Sequence, residues 1–339
     1  MKIILISVGL FVAVFTVAAQ TDSAKAIFKK GLSEKEARHY LVASQYFNNA
    51  IQLYSNYEDA YLQDADVNIS MHRLDKAQND IQKVHEIDPD NVAVTEQLIQ
   101  FSYNSHQYSK VIDLASKCKT CSNSERILGM CNYQQENYGT AIQELTSALK
   151  KNPMDAEATY TVGRSYLEEE EYLKAVPYYR QAVILDSTKN VWMYELGLLY
   201  YNNNDYTHAV EMFDKASNAG YDQSNDFNEN LGFACIYAGQ TERGEKILLN
   251  LIAKEPGNTD ILRDMADAYY NRKMYDKSLE FCQKLLMIDA KDGKALYEAG
   301  LCFQKKGDTE RGEKMCDRAI ELDPSLAGLR QKKMGPMGL

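Results

Sequence analysis

Small residues recur along this chain at two fixed places per period, and that recurrence limits the fold more than any other feature. The first series is Gly31, Ala65, Ile99, Gly129, Gly163, Gly197, Gly232, Ala266 and Gly300. The second lies twelve residues later each time, at Ala43, Ala77, Val111, Ala141, Ala175, Ala209, Gly244, Ser278 and Gly312. Steps within the first series are 34, 34, 30, 34, 34, 35, 34 and 34 residues. A period of this length is the mark of stacked supersecondary units rather than of one irregular core. Two antiparallel helices come close only where a small side chain lets the backbones approach, so each period reads as a helical hairpin.

Around these points larger apolar residues fall at helical spacing. Phe47, Ile81, Leu145, Tyr179, Phe213 and Leu248 each follow the second small residue by four. Pro89, Pro153, Pro256 and Pro324 follow it by twelve, where a second helix has to stop. Tyr40, Tyr108, Tyr138, Tyr172, Tyr206 and Tyr275 precede it by three, at the turn into that helix.

The pattern resembles the tetratricopeptide repeat family. It shows well in Leu128-Gly129, Tyr138, Ala141, Leu145, Ala148 and Pro153, and again in Leu196-Gly197, Tyr200, Tyr206, Ala209, Phe213 and Ala216. Nine repeats cover about residues 24–326. The resemblance implies an all-α, right-handed superhelical solenoid of helix-turn-helix repeats, with the first helix of each pair lining a concave face. The expected organisation is a leader over 1–19, three repeats over 20–121, six over 122–326, and a capping helix with a tail over 327–339. The third repeat departs from the pattern. Ile99 and Val111 replace small residues, four residues are lost around Cys118-Lys119-Thr120-Cys121, and a strained joint is expected there. Pro177 is expected to kink its helix or shift its start.

Residues 1–19 read as a cleavable export signal. Lys2 is followed by an uncharged apolar run from Ile3 to Val17, and Val17-Ala18-Ala19 offers small residues before a cut at Gln20. The run is shorter than the ~20 residues a spanning helix needs, so no membrane span is expected after cleavage. Export to the bacterial periplasm or envelope is therefore expected. Net charge is −10, from 38 basic and 48 acidic residues, which argues against nucleic acid as a partner.

Catalytic chemistry is not evident. Asp292-Gly293-Lys294 lacks the preceding glycine and strand of a phosphate loop. His39, His72, His85, His106 and His208 lie apart and read as surface residues. No cofactor, metal set or enzymatic activity is expected. Of seven cysteines, Cys235, Cys282, Cys302 and Cys316 fall on core positions. Cys118, Cys121 and Cys131 stand near one another and leave open free thiols, a disulfide between two of the three, or a less well supported zinc site.

Mapped on the family's first helix, the groove-facing places hold Tyr103, Tyr133, Tyr160, Tyr194, Tyr201, Tyr270 and Tyr297. Asn104, Gln134, Asn202 and Asn271 each follow such a tyrosine. Arg126, Arg164 and Arg263 map to the same face, beside Glu96, Glu157, Glu168 and Asp267. Tyrosine supplies contact area at low entropy cost, and amides can pair with an extended backbone. The partner-binding set is thus Tyr103, Asn104, Arg126, Tyr133, Tyr160, Arg164, Tyr194, Tyr201, Asn202, Arg263, Tyr270 and Asn271. The arginines suggest a basic strip over repeats 3 to 6 for an acidic or neutral extended segment. Chaperone-binding members clamp a partner's C-terminal carboxylate with a lysine and an asparagine; Phe28 and Leu32 stand at those places, which speaks against that mode.

An interaction scaffold for a peptide segment or folded partner fits these readings best. A cysteine-dependent redox or metal protein using Cys118, Cys121 and Cys131 stays open, as does a glycan-binding envelope protein. The identity of the partner and the oligomeric state are not written in the sequence.

Overall fold

A computed structural model describes residues 3–329, with side chains from residue 20 onward. The expected leader and most of the tail thus lie outside the residues with described side chains. Among the described residues the chain is helical throughout, with no strand. First helices of the hairpins are α1 (Ile3–Glu36), α3 (Glu58–Ser70), α5 (Val92–Asn104), α7 (Ser124–Gln134), α9 (Ala156–Glu168), α11 (Asn190–Asn202), α13 (Asn225–Ala238), α15 (Asp260–Asn271) and α17 (Gly293–Lys305). Second helices are α2 (Tyr40–Leu53), α4 (Leu74–Ile87), α6 (Tyr108–Lys117), α8 (Tyr138–Lys151), α10 (Tyr172–Leu185), α12 (Tyr206–Asn218), α14 (Thr241–Lys254), α16 (Tyr275–Ile288) and α18 (Thr309–Leu322). A 3-10 turn, Pro324–Leu326, follows. No described helix is long and apolar enough to cross a membrane.

The chain divides into two compact units, Met1–Glu171 and Tyr172–Leu339. In the first, α1 to α9 pack each on the next; in the second, α10 to α18 do the same. This serial contact is that of a repeat array, in which each hairpin is stabilised by its neighbours.

One packing rule explains the small residues. A Cβ added at Gly31, Gly129, Gly197 or Gly232 would come within 2.5–2.6 Å of the side chain of Phe47, Leu145, Phe213 or Leu248. The offset is sixteen residues in every case. The large side chain of the second helix fills the space the glycine leaves, and burying it contributes roughly 1.5–3 kcal/mol per repeat. The second small series meets backbone: a Cβ at Gly312 would lie 2.4 Å from the carbonyl oxygen of Gly300. Repeat 3 keeps the rule with the sizes exchanged. Ile99 takes the small place and Ala115, sixteen residues on, takes the large one; both are buried in one core cluster. The departure at Ile99 is therefore a compensated swap.

The turns are equally regular. Arg38, His72, His106, Glu136, Glu170, Asn204, Gly239, Lys273 and Gly307 all have positive φ between first and second helix. The amide after each donates to a carbonyl five residues back, as in Gln107 to Ser102 at 2.8 Å and Met274 to Tyr269 at 2.9 Å. Six second helices then begin on tyrosine. Pro89, Pro153, Pro256 and Pro324 each stand two residues past a helix end, after a residue with ψ between 71° and 94°. Pro177 lies inside α10, which runs continuously from Tyr172 to Leu185.

The four residues lost in repeat 3 are about one turn of its second helix: α6 has 10 residues where α8 has 14. The turn that replaces them carries a Cys118–Cys121 disulfide and Asn123 at φ 61°, a left-handed conformation that asparagine tolerates. Within it Ser122 donates to Glu96 and Ser124 to the Cys121 carbonyl.

Candidate functional site

Every residue of the sequence-derived binding set lies on a first helix. Tyr103 and Asn104 end α5, Arg126 and Tyr133 lie on α7, and Tyr160 and Arg164 on α9, all in the first unit. In the second unit Tyr194, Tyr201 and Asn202 lie on α11, and Arg263, Tyr270 and Asn271 on α15.

The tyrosines at the ends of first helices are half-buried and meet the tyrosine that opens the next helix. Tyr103–Tyr108, Tyr133–Tyr138, Tyr201–Tyr206 and Tyr270–Tyr275 have ring centroids 6.0, 5.7, 5.4 and 5.7 Å apart. These tilted or edge-on pairs brace four of the hairpin turns and leave only part of each ring to solvent. Sequence reasoning had both tyrosines but not their pairing, which the constant offset of five residues signals. Burial raises the Tyr201 hydroxyl above the ordinary phenol range, with Tyr237 and Tyr206 adding to it. It therefore stays a neutral donor. Tyr194 belongs to an aromatic cluster. It stacks on Tyr221 at 4.5 Å, lies 5.6 Å from Phe213 and Phe227, and accepts from Asn230 at 3.0 Å. The amides point outward: Asn104, Gln134, Asn202 and Asn271 are exposed.

The expected basic strip is charge-balanced. Arg126 donates to Asp155 at 2.5 Å and to Glu157 at 2.7 Å. Arg164 donates to Glu168 at 2.9 Å and stands 3.4 Å from the Tyr160 hydroxyl. Arg263 donates to Asp292 at 2.8 Å. Asp155 and Asp292 also cap α9 and α17, accepting from the amides of Ala158 and Ala295. Arg126 and Arg263 thus tie one first helix to the cap of the next, while Arg164 is paired along its own helix. Hydrogen bonds to arginine and to backbone amides hold Asp155 and Asp292 below the usual carboxylate range, outweighing their burial.

Of the three cysteines considered together, Cys118 and Cys121 are bonded to each other and Cys131 is free and buried. Burial pushes the Cys131 thiol up to about 11, and Cys235 and Cys302 likewise. None of these three is a thiolate nucleophile at neutral pH. Among the described residues, no group of three or more His, Cys, Asp or Glu side chains is arranged to hold a metal ion. A cavity of about 450 Å³ adjoins the disulfide, bounded by Lys119, Glu125, Arg126, Lys151 and Asp155.

Two acid pairs escaped the sequence reading. In the first unit Asp64, 3% exposed, lies beside Asp80, and Asn48 and Asn68 donate to them at 2.8 and 3.3 Å. Burial and the neighbouring Asp64 push Asp80 up to about 7. In the second unit Glu298 hydrogen-bonds to Asp267 and accepts from Ser278 at 3.2 Å; burial, then Asp267, pushes it up to about 8. The offset between Asp64 and Asp80 is the same sixteen residues that pairs Gly129 with Leu145.

Tetratricopeptide repeat models match residues 132–190, 193–219, 236–299 and 293–326, together more than half of the chain. The human protein O-mannosyl-transferase TMTC1 is 28% identical over 163 residues, 48% of this chain and 17% of that protein. The TPR repeat-containing protein YpiA of Bacillus subtilis is 22% identical over 260 residues, 75% of this chain and 61% of that one. The chain therefore spans less than two thirds of either relative. A solved structure, the C-terminal part of a TPR repeat-containing protein from Cytophaga hutchinsonii, shares the fold with a TM-score of 0.50 at 17% identity, covering 71% of this chain and 98% of that one. With nine hairpins in register, recurrent left-handed turns and these matches, the chain belongs to the tetratricopeptide repeat family, an all-helical repeat fold that serves as a protein-interaction scaffold.

Proposed function

We propose that the chain holds a peptide segment or a folded partner protein against the first-helix face of its repeats, outside the cytoplasm, in the periplasm or envelope of a bacterium. The observation that carries this reading is the recurrence of exposed amides, Asn104, Gln134, Asn202 and Asn271, each beside a tyrosine ring braced by its own hairpin. Rigid aromatic area next to an exposed amide pairs well with an extended backbone and costs little entropy on binding. The residues that would carry it are Tyr103, Asn104, Tyr133, Tyr201, Asn202, Tyr270 and Asn271, with Arg126 and Arg263 tying neighbouring helices together and Arg164 paired along its own helix with Glu168. Export is supported by the apolar start of the chain and by the Cys118–Cys121 bond, a linkage that persists in oxidising compartments. The reading is non-enzymatic. The transferase name of the human relative belongs to a protein of which this chain spans 17%.

The test places a photo-crosslinking residue at Asn104, Asn202 or Asn271 in cells and identifies the captured protein by mass spectrometry, with Glu310 on a second helix as the comparison. A common partner captured from the three first-helix positions is expected. Equal capture from Glu310 would refute the face assignment. N-terminal sequencing of the mature chain is expected to begin at Gln20; a chain retaining Met1 would refute export by cleavage.

A further inference from the structure

The second unit holds a cavity of about 470 Å³ between α15 and α17, lined also by Leu326 and Leu329. Its walls are Tyr270, Tyr297 and Leu301, and its polar lining includes Asp267 and Glu298. We infer that this cavity receives a lysine or arginine side chain from an apolar, basic peptide segment. The inference rests on the scaffold reading above and names the chemistry of the partner at one end of the array.

Charge carries the argument. The first helices of this unit are rich in carboxylates near one another: Asp226 and Glu229 on α13, Asp260, Asp264 and Asp267 on α15, and Glu298 on α17. Burial and these neighbouring carboxylates hold both Glu229 and Asp264 above their ordinary values. The cations on this face are already engaged or peripheral, with Arg263 bound to Asp292 and Lys294 exposed at the cavity rim. An anionic segment is repelled from such a surface and a cationic one is drawn to it. The cavity adds shape to charge, because a long basic side chain lays its apolar stem along Tyr270, Tyr297 and Leu301 while its head reaches the acid pair.

The acid pair makes the binding chemically distinctive. Around Glu298 stand Asp267 and Arg263 from α15, Ser278 and Cys282 from α16, and Lys294 and Cys302 from its own helix. Burial and the neighbouring Asp267 push the Glu298 carboxyl up to about 8, so at neutral pH Glu298 holds a proton beside Asp267. A cation entering the cavity substitutes for that proton, which passes to the buffer. Binding is therefore expected to release about one proton per segment bound near neutral pH.

The test uses the full chain and two end-blocked fluorescent peptides, one alternating lysine with leucine and one alternating glutamate with leucine. Fluorescence anisotropy is expected to show the lysine probe binding and the glutamate probe at least tenfold weaker. The double change Asp267→Asn with Glu298→Gln should weaken the lysine probe by about tenfold. Changing the exposed Asp289→Asn and Glu310→Gln together should alter it by less than about twofold. Titration calorimetry in phosphate and in Tris should give enthalpies that differ by the ionisation heat of about one proton, and the double variant should lose that difference. If the double variant does not keep its helical circular dichroism, Leu301→Trp, which fills the cavity, should give the same loss. Equal binding of the two probes, an unaffected variant, or no proton release would overturn the inference. If neither probe binds while Asn104 and Asn202 still capture a partner, this inference falls and the scaffold reading stands. If the lysine probe binds as described and no partner is captured, the scaffold reading falls.

Discussion

Arg126 Nε stands 2.5 Å from Asp155 Oδ2, while the other oxygen of Asp155 accepts from the amide of Ala158. Arg263, Asp292 and Ala295 repeat the arrangement in the second unit. One carboxylate thus caps its own helix and anchors the helix before it, at an offset of twenty-nine residues. Arg126→Ala is expected to cost about 1–2 kcal/mol, because Asp155 is 14% exposed and would lose its charged partner. Arg126→Lys should recover only part, lacking the second donor that reaches Glu157. Hydrogen exchange of the α7 and α9 amides is the measurement, and unchanged protection in Arg126→Ala would remove the anchor from the account.

Gly197→Ala is expected to destabilise by about 1–3 kcal/mol, since its Cβ would lie 2.6 Å from the Phe213 ring, a buried side chain with little room to move. The companion change Phe213→Leu should recover part of the loss. Thermal unfolding of the two variants decides it, and a silent Gly197→Ala would mean that the helices separate freely.

Gly307→Ala tests backbone alone. Gly307 sits at φ 95°, and a Cβ there would meet nothing within 4 Å. The cost is expected to be about 1–2 kcal/mol, purely from placing an L side chain in that region. Conversely, Lys273→Gly, at φ 62° in the equivalent turn, should stabilise by some tenths to about 1 kcal/mol. Denaturant midpoints would show both; opposite signs would show that the turns do not limit stability.

Asp80 gives the fold a pH dependence. Its carboxyl is pushed up to about 7 by burial and by Asp64, so the folded chain holds this proton more tightly than the unfolded chain does. Its contribution to stability is therefore complete below the ordinary carboxylate value and is lost as pH rises from about 4 to about 7. Asp80→Asn should flatten that slope and stabilise α3 and α4 above neutral pH by about 1–2 kcal/mol. Exchange of their amides as a function of pH is the check; the same slope in the variant would assign it to another group.

Ile99 and Ala115 invite a double change. Ile99→Ala alone should cost about 2–4 kcal/mol as a cavity opens in the core of repeat 3. Adding Ala115→Ile should return much of that by restoring the size order found at Ala65 and Ile81, and the coupling between the two changes measures the contact. Additive losses would place the two side chains out of contact.

Much of this fold was legible in the chain, for a physical reason. Serial hairpins repeat the same local problem, so each close approach leaves the same trace: Gly31, Gly129 and Gly197 before the turn, Phe47, Leu145 and Phe213 after it. What was missed is what depends on pairing rather than on single places. Ile99 looked like a defect because the small residue was sought at one position instead of across the sixteen-residue pair. Asp64 and Asp80 were hidden in the same way. The candidate site was legible as a list of side chains on first helices, while the state of those side chains was not. Arg126, Arg164 and Arg263 read as a basic strip with Glu157 and Glu168 beside them, and the capping carboxylates Asp155 and Asp292 were not among the partners considered. Those carboxylates reach the arginines from a helix cap twenty-nine residues on, or from the next turn of the same helix.

The exchange of bulk at Ile99 and Ala115 also says which piece of this chain can be moved. A helix taken from repeat 3 and spliced opposite Leu145 would set isoleucine against leucine; its mate spliced opposite Gly129 would set alanine against glycine. One hybrid is overfilled and the other hollow, though each donor helix is sound at home. The portable module is the hairpin, and an ancestral duplication or a laboratory chimera that cut inside the turn at His106 would separate two halves fitted only to each other.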